Sequence, residues 1–255
     1  MSAEVLLEVK GLVKRFGGLL ATDHANLRVR RGELHALIGP NGAGKTTLIH
    51  QLSGALAPSG GQIYFAGTDI TSMTIHRRVQ RGLVRSYQIT SVFQRLSVLD
   101  NLALAVQAHD GSSLRFWRPA RTESRRYAQA AVVAERVGLA TQLQREAGSL
   151  SHGEQRQLEV GLALALEPQC LLLDEPMAGM GPDESERMVQ LLVSLRGEIT
   201  MLLVEHDMDA IFRLADRVST LVSGQVIASG TPEEIRTNHA VQRAYLGDEL
   251  VEAAS

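Results

Sequence analysis

The chain has 255 residues, 44% of them hydrophobic, and a formal net charge of −2. That is apolar material enough for a sizeable core and too much for a disordered chain, and the near-neutral balance gives no sign of a nucleic-acid binder. The one cysteine, Cys170, cannot close an internal disulfide, which favours a reducing compartment. It sits in the apolar run Cys170-Leu171-Leu172-Leu173 and reads as a buried core thiol.

Met1-Ser2-Ala3-Glu4-Val5 carries neither a basic region nor a long apolar run, so no signal peptide is expected. No stretch approaches the roughly 20 uncharged apolar residues that a membrane helix needs, so any membrane role is expected to come through a partner. Val5 to Val9 is a short β-prone run, and Asn26 to Arg30 alternates like a strand before a turn at Gly32. Leu34 to Ile38 is a mostly apolar strand running into the glycine-rich stretch Gly39 to Gly44, and Thr46 to Leu56 reads as a helix. Gln62 to Phe65 and Asp69-Ile70 suggest further short strands around Gly60-Gly61 and Gly67.

From about Ser97 to Leu166 the pattern turns helical. Leu99, Leu102 and Val106 recur at helix spacing, and Ala130, Val133 and Val137 share one face. Asp110 to Pro119 is loop-like. Strand and helix then alternate: Leu171 to Leu173, a helix over Pro182 to Leu195 with proline in its first turn, a strand over Met201 to Val204, and a helix over Met208 to Ala215. Val218 to Val222 and Gln225 to Ala228 form a hairpin around Ser223-Gly224, and Thr231-Pro232-Glu233-Glu234 opens a last helix. Alternation around buried strands predicts a largely parallel sheet.

Three motifs carry chemistry. Gly39-Pro40-Asn41-Gly42-Ala43-Gly44-Lys45-Thr46 matches G-x-x-x-x-G-K-[ST], between an apolar strand and a helix. Its glycines let backbone N–H groups curl around phosphate oxygens, the following helix turns its positive end to the same anion, Lys45 adds a charge, and the Thr46 hydroxyl suits Mg²⁺. Leu171-Leu172-Leu173-Asp174-Glu175 is an apolar strand ending in two carboxylates. Successive strand side chains face opposite ways, which would turn Asp174 toward Mg²⁺ and Glu175 toward an attacking water. Ser151-His152-Gly153-Glu154-Gln155 precedes an amphipathic run, and Ser151 with Glu154 forms a capping box. A capped helix start with a glycine is a second anion site, which one ATP on one chain does not need but two chains facing head to tail would use.

The phosphate loop, L-S-x-G-E-Q from Leu150 to Gln155, and L-L-L-D-E-P from Leu171 to Pro176, in that order, resemble the ABC ATPases over nearly the whole chain. The resemblance implies an α/β fold: a P-loop NTPase (RecA-like) core with an N-terminal antiparallel β subdomain and an inserted helical subdomain. Residues 1–94 and 167–255 would form the β subdomain and core, and 95–166 the helical subdomain with the signature motif. It assigns ATP binding to Gly39, Pro40, Asn41, Gly42, Ala43, Gly44, Lys45, Thr46 and Thr47, with Phe16 stacking on adenine. It assigns contact with the partner's ATP to Ser151, His152, Gly153, Glu154 and Gln155. Mg²⁺ falls to Thr46, Asp174 and Gln88, the last as the Q-loop glutamine that also senses the permease. Glu175 is the implied general base and His206 the switch histidine on the γ-phosphate. His152 and Gly181 depart from the common pattern, which has glycine and aspartate there.

Lys14-Arg15-Phe16-Gly17-Gly18-Leu19, Met177-Ala178-Gly179-Met180, Val204-Glu205-His206-Asp207-Met208 and Arg243-Ala244-Tyr245-Leu246-Gly247 narrow the resemblance to the ATPase subunits of bacterial importers for branched-chain amino acids and related solutes. Such subunits work as a homo- or heterodimer beneath two permeases, with a periplasmic solute-binding protein, on the cytoplasmic face of the membrane. A lipopolysaccharide-export ATPase, a soluble repair or translation ABC protein, and a non-hydrolysing regulatory subunit are the alternatives. Arg77, Arg78, Arg81 and Arg85, and Arg115, Arg118, Arg121, Arg125 and Arg126 around Trp117, read as solvated helix faces. The sharper alternative is docking to a permease or anionic headgroups at the Trp117 segment.

Overall fold

A computed structural model describes residues 4–86, 92–109 and 121–252, apart from the side chains of 121–123 and 246–252. The chain divides into two compact units, one of residues 1–78, 172–175 and 196–255, the other of residues 79–171 and 176–195.

In the first unit, β1 (Val5–Phe16) and β2 (Leu19–Arg30) pair antiparallel with Glu8 opposite Arg28 and Val9 opposite Leu27. Both strands are far longer than the short apolar runs that betray them. Their outer halves carry charge on an open face, while Ala25, Leu27 and Val29 alternate inward. The register slips between Val9 and Leu12, where Gly11 takes φ +54° and donates its N–H to Asn26 Oδ1 at 3.0 Å. After β3 (Leu34–Ile38) and α1 (Lys45–Ser53), β4 (Gly60–Phe65) and β5 (Thr68–Asp69) complete an antiparallel sheet in the order β2-β1-β4-β5.

The other sheet of this unit joins β3 to later strands. After α2 (Ile75–Gln80), β6 (Leu83–Arg85), α3 (Val98–His109), α4 (Arg121–Arg136) and α5 (His152–Leu164) comes β7 (Cys170–Asp174). α6 (Pro182–Leu195), β8 (Thr200–Val204), α7 (Met208–Leu214), β9 (Arg217–Val222) and β10 (Gln225–Gly230) follow. The order is β10-β9-β3-β8, with the end of β7 beyond β8. β3 runs parallel to both β8 and β9, with Leu37 opposite Val204 and Ile38 opposite Thr220. Every residue of β3, β7 and β8 is buried, as expected of strands covered on both faces. One polar string crosses this apolar sheet. His35, fully buried on β3, has Nδ1 2.5 Å from Glu33 Oε1 and Nε2 2.8 Å from Ser219 Oγ, and that hydroxyl lies 2.9 Å from Ser229 Oγ.

Arg77 and Arg81 are exposed, as expected of a solvated face, but Arg78 corrects that expectation. Arg78 is 1% exposed. Its guanidinium donates to the carbonyls of Gln51 and Leu52 at 2.8 and 2.6 Å, closing the end of α1, and to those of Met73 and Thr71 at 3.0 Å. The fork of Arg can serve several carbonyls at once, which is why a buried cation is tolerated there. Burial pulls its pKa down to about 10.

In the second unit, the start of β7 lies beside β6, with the Cys170 N–H donating to Gly82 O at 3.0 Å. Cys170 is fully buried, and burial pushes its thiol up to about 12. The apolar line of α3 is Val98, Leu102 and Val106, with Leu99 only half-buried, and that of α4 is Ala130 and Ala134, continued by Val137 just past its end, with Val133 half-buried. At the C-terminus, Thr231 and Glu234 form the expected capping box, but the helix it opens, α8 (Pro232–Arg236), is one turn and a half long. α9 (His239–Glu252) follows it and is the last helix among the described residues, with the Asn238 Oδ1 accepting from Ala240 N–H.

Candidate active site

The carboxyl ends of β3, β7 and β8 meet along one edge of the parallel sheet, where open α/β sheets bind ligands. At β3, Gly39, Gly42 and Gly44 take φ +152°, +76° and +101°. A Cβ at Gly39 would stand 2.0 Å from Leu221 O, and one at Gly44 would stand 2.3 Å from Ala21 O. The loop therefore runs between two backbone walls that only glycine clears. Gly224 N–H donates to Ala43 O at 2.9 Å and ties the loop to the β9–β10 turn.

α1 begins with no side-chain cap on its first N–H groups and no acid in its first turn. Its positive end thus faces the loop uncancelled, which suits an anion. Lys45, 7% exposed, donates from Nζ to Gly39 O at 2.6 Å and Pro40 O at 3.0 Å, so its charge is folded across the loop. Thr46 is exposed on the same turn, Thr47 is half-buried, and Asn41 and Gly42 are exposed at the tip.

Asp174 is buried at the end of β7. Glu175 does not simply occupy the next pleat, as the strand alternation led one to expect. It lies past the strand in the left-handed region, φ +51°, with its N–H donated to Val204 O at 2.9 Å. Glu175 is thus presented from a backbone reversal rather than from the strand, an unusual conformation for a non-glycine residue. His206 Nε2 lies 2.6 Å from Glu175 Oε1. The histidine is aimed by its neighbours: its N–H donates to Glu205 Oε2 at 3.0 Å, and Asp207 caps α7 by accepting from Ala210 N–H at 3.0 Å.

In the second unit, the expected capping box at α5 is present in full. Ser151 N–H donates to Glu154 Oε2 at 2.8 Å and Glu154 N–H to Ser151 Oγ at 3.2 Å. Gln155 Nε2 donates to Leu150 O at 3.3 Å. Sequence reasoning missed Glu184. Its Oε1 accepts from the Ser151 hydroxyl and from the Gly153 N–H, both at 3.1 Å. These bonds, the Ser151 hydroxyl first, hold its carboxyl below the usual value. The only signal was an acid two residues after Pro182, which reads as ordinary first-turn decoration of α6. Of the two departures, His152 is exposed with Cε1 within 3.5 Å of where a Gly179 Cβ would be, and a Cβ at Gly181 would meet nothing within 4 Å. Glycine is therefore not sterically required at 181.

Phe16, at the end of β1, is 48% exposed and no part of the core, with Lys14 Nζ 5.2 Å from its ring centroid. Gln88 lies outside the described residues, as do Arg115, Trp117 and Arg118. Arg125 is exposed on α4, while Arg85 is buried on β6.

The ABC transporter sequence profile matches residues 22–178, and a profile described as branched-chain amino acid ATP-binding cassette transporter matches residues 225–251. The chain is 40% identical over 250 residues to the high-affinity branched-chain amino acid transport ATP-binding protein BraF of Pseudomonas aeruginosa, covering 95% of this chain and 98% of that one. The chain belongs to the ABC transporter family of ATP-binding proteins. This ABC ATPase is also 39% identical over 254 residues to LivG of Escherichia coli K12, another high-affinity branched-chain amino acid transport ATP-binding protein, with 96% and 99% of the two chains covered. Among solved structures it superposes on MJ1267, an ATP-binding cassette of an ABC transporter in its ADP conformation, with a TM-score of 0.84 at 29% identity, covering 96% of this chain and 100% of that one. The expected P-loop NTPase fold is thus present. The protein is an ABC-type ATPase, and its relatives favour the importer expectation over the lipopolysaccharide-export one. Among the described residues no helix is long and apolar enough to cross a membrane.

Proposed function

We propose that this ABC ATPase powers uptake of branched-chain amino acids or related small solutes. It would act as one of two ATPase chains beneath two permeases served by a periplasmic solute-binding protein, peripherally on the cytoplasmic face of the membrane. The solute class rests on the near-full-length identity to BraF and LivG. The chain reads as one ABC ATPase domain, with residues 95–166 as its helical subdomain.

The observation that carries the chemistry is the Glu175–His206 pair at 2.6 Å on the edge that also holds the phosphate loop. ATP is the substrate. Backbone N–H groups of residues 39–46 and the head of α1 hold its phosphates, Lys45 turns from the Gly39 and Pro40 carbonyls to them, and Phe16 offers an exposed face to adenine. Glu175 accepts a proton from the attacking water. His206, placed beside Glu205 and the start of α7, holds that carboxylate through Nε2 and turns to donate to the γ-phosphate once ATP is bound. Ser151 to Gln155 address the ATP of the other chain. The donor set of Thr46 hydroxyl and Asp174 carboxylate is hard oxygen, which fits Mg²⁺, with Gln88 as a third ligand. When bound, that ion neutralises charge on the phosphates.

A groove in the second unit supports a permease contact there. This groove, of about 330 Å³, is lined by Phe93, Leu104, Leu162 and Leu166, with Glu159 among them. Phe93 is 61% exposed. Glu159 Oε2 accepts from Arg156 at 2.9 Å, while its buried Oε1 has no partner among the described residues. An apolar permease segment carrying one donor would complete it.

The test is reconstitution with the membrane proteins that co-purify from the native host. ATP-dependent leucine uptake into vesicles, abolished by Glu175→Gln, is the expected result. Co-purification with lipopolysaccharide-export permeases, or with no membrane protein at all, would overturn the transport reading.

A further inference from the structure

Glu184, in the second unit, occupies a site of the same chemistry as the phosphate loop. The head of α5, a helix of 13 residues, turns two donors outside its capping box to Glu184. One is the Ser151 hydroxyl proton and the other is the Gly153 N–H. Both go to a single oxygen, Glu184 Oε1, at 3.1 Å. The Ser151 oxygen is already an acceptor for Glu154 N–H, so its one proton is all it has to give to an anion.

The occupation is steric as well. A Cβ at Gly153 would stand 2.7 Å from the Glu184 carboxyl carbon, 2.8 Å from Oε1 and 2.9 Å from its Cβ. The bare face of Gly153 is therefore filled by the carboxylate of an element 31 residues on. That carboxylate is a planar, charged oxygen ligand at the positive end of a helix, which is the description of a phosphate's place.

We infer that Glu184 is an internal stand-in for the terminal phosphate of ATP: its carboxylate holds the anion site at the head of α5 and must be expelled before the other chain's ATP can enter. The inference rests on the reading of residues 151–155 as the element that meets that ATP, and deepens it. One O–H proton and one N–H proton cannot serve both anions, so binding is competitive. The intrinsic dissociation constant is then divided by the fraction of chains with Glu184 swung away, so the apparent affinity for closure falls by that fraction. Glu184 has an exit, since Arg187 lies one turn along α6 and is exposed to solvent. The residue thereby sets the ATP concentration at which the ATPase chains close, and keeps the signature element from capturing other anions when ATP is scarce.

The experiment uses the assembled transporter in nanodiscs in the Glu175→Gln background, with closure of the two ATPase chains followed by energy transfer between labels as ATP is titrated. Glu184→Ala is expected to lower the half-saturating ATP by roughly three- to ten-fold. Glu184→Gln, which keeps the shape and loses the charge, should shift it in the same direction. Binding of a fluorescent ADP to the isolated chain, which reads the phosphate loop alone, should not move in either variant. An unchanged or raised half-saturation for both variants, with melting temperatures near wild type, overturns the role of Glu184. Ser151→Ala separates the two readings. A raised ATP requirement keeps residues 151–155 as the ATP-facing element whatever Glu184 does. A wild-type titration removes that element and the competition with it.

Discussion

His206 Nε2 stands 2.6 Å from Glu175 Oε1, and the residue that presents this carboxylate is in the left-handed region at φ +51°. Strain of that kind, of order 1–3 kcal/mol, persists only where the surroundings enforce it. Here the Glu175 N–H on Val204 O and the side chain on His206 do so. Glu175→Gln should retain ATP binding and lose turnover by roughly 10²–10⁴-fold, and His206→Ala should fall at the lower end of that range. Phosphate release measured beside nucleotide binding checks both. A Glu175→Gln enzyme hydrolysing at the wild-type rate would remove Glu175 as the base.

Gly39→Ala should be far worse than its single methyl suggests. The new Cβ would lie 2.0 Å from Leu221 O, a backbone atom that cannot swing aside, at φ +152°. Overpacking of this sort typically costs about 1–3 kcal/mol and moves the loop. Calorimetric ATP affinity should drop by at least ~10-fold, a loss of about 1.4 kcal/mol of binding, with a lower melting temperature.

Arg78→Met tests a residue far from the chemistry. It leaves the carbonyls of Gln51, Leu52, Thr71 and Met73 without that donor in a buried place. Several unmet acceptors at the end of α1 should destabilise by about 2–4 kcal/mol, or ~5–15 °C in melting. A shift below 2 °C would mean that water replaces the guanidinium without loss.

Glu159 gives a pH signature. Burial raises its pKa above the usual 4.5, outweighing the Arg156 hydrogen bond that lowers it. The folded state therefore binds this proton more tightly than the unfolded one. Its favourable contribution is complete below about pH 4.5 and is lost as pH rises through the folded value. Glu159→Gln should thus match wild type in acid and melt higher than wild type at neutral pH. Melting curves across that window decide it, and a variant that melts lower at pH 7 would show that Arg156 outweighs burial after all.

Much of the fold was legible from the sequence because its signals are local. Leu34 to Ile38 and Pro182 to Leu195 are bounded as read, since an apolar run ending in glycine and a proline-opened helix announce their own limits. β1 and β2 were read far too short because half of each strand faces outward and carries charges such as Lys10, Arg15 and Arg28. α2 and β6 escaped notice because their arginines look solvent-facing, when Arg78 and Arg85 are buried. The site divides in the same way. The glycines and Lys45 form one contiguous run and Asp174-Glu175 another, but the left-handed turn at Glu175 is set by β8, and Glu184 reaches Ser151 across 33 residues. Long-range placement of that kind has no local pattern.

The string Glu33–His35–Ser219–Ser229 has a consequence for building hybrids of this cassette. A one-residue slip of β3 against β9 would turn His35 to the opposite face and leave a serine hydroxyl and a carboxylate unmatched inside an otherwise oily sheet. The string works as a key cut across β3, β9 and β10, accepting one alignment and rejecting the adjacent ones. Grafts taken from relatives should therefore carry positions 33, 35, 219 and 229 together, because a donor segment that brings only part of the key would fit the hydrophobic pattern and still misthread.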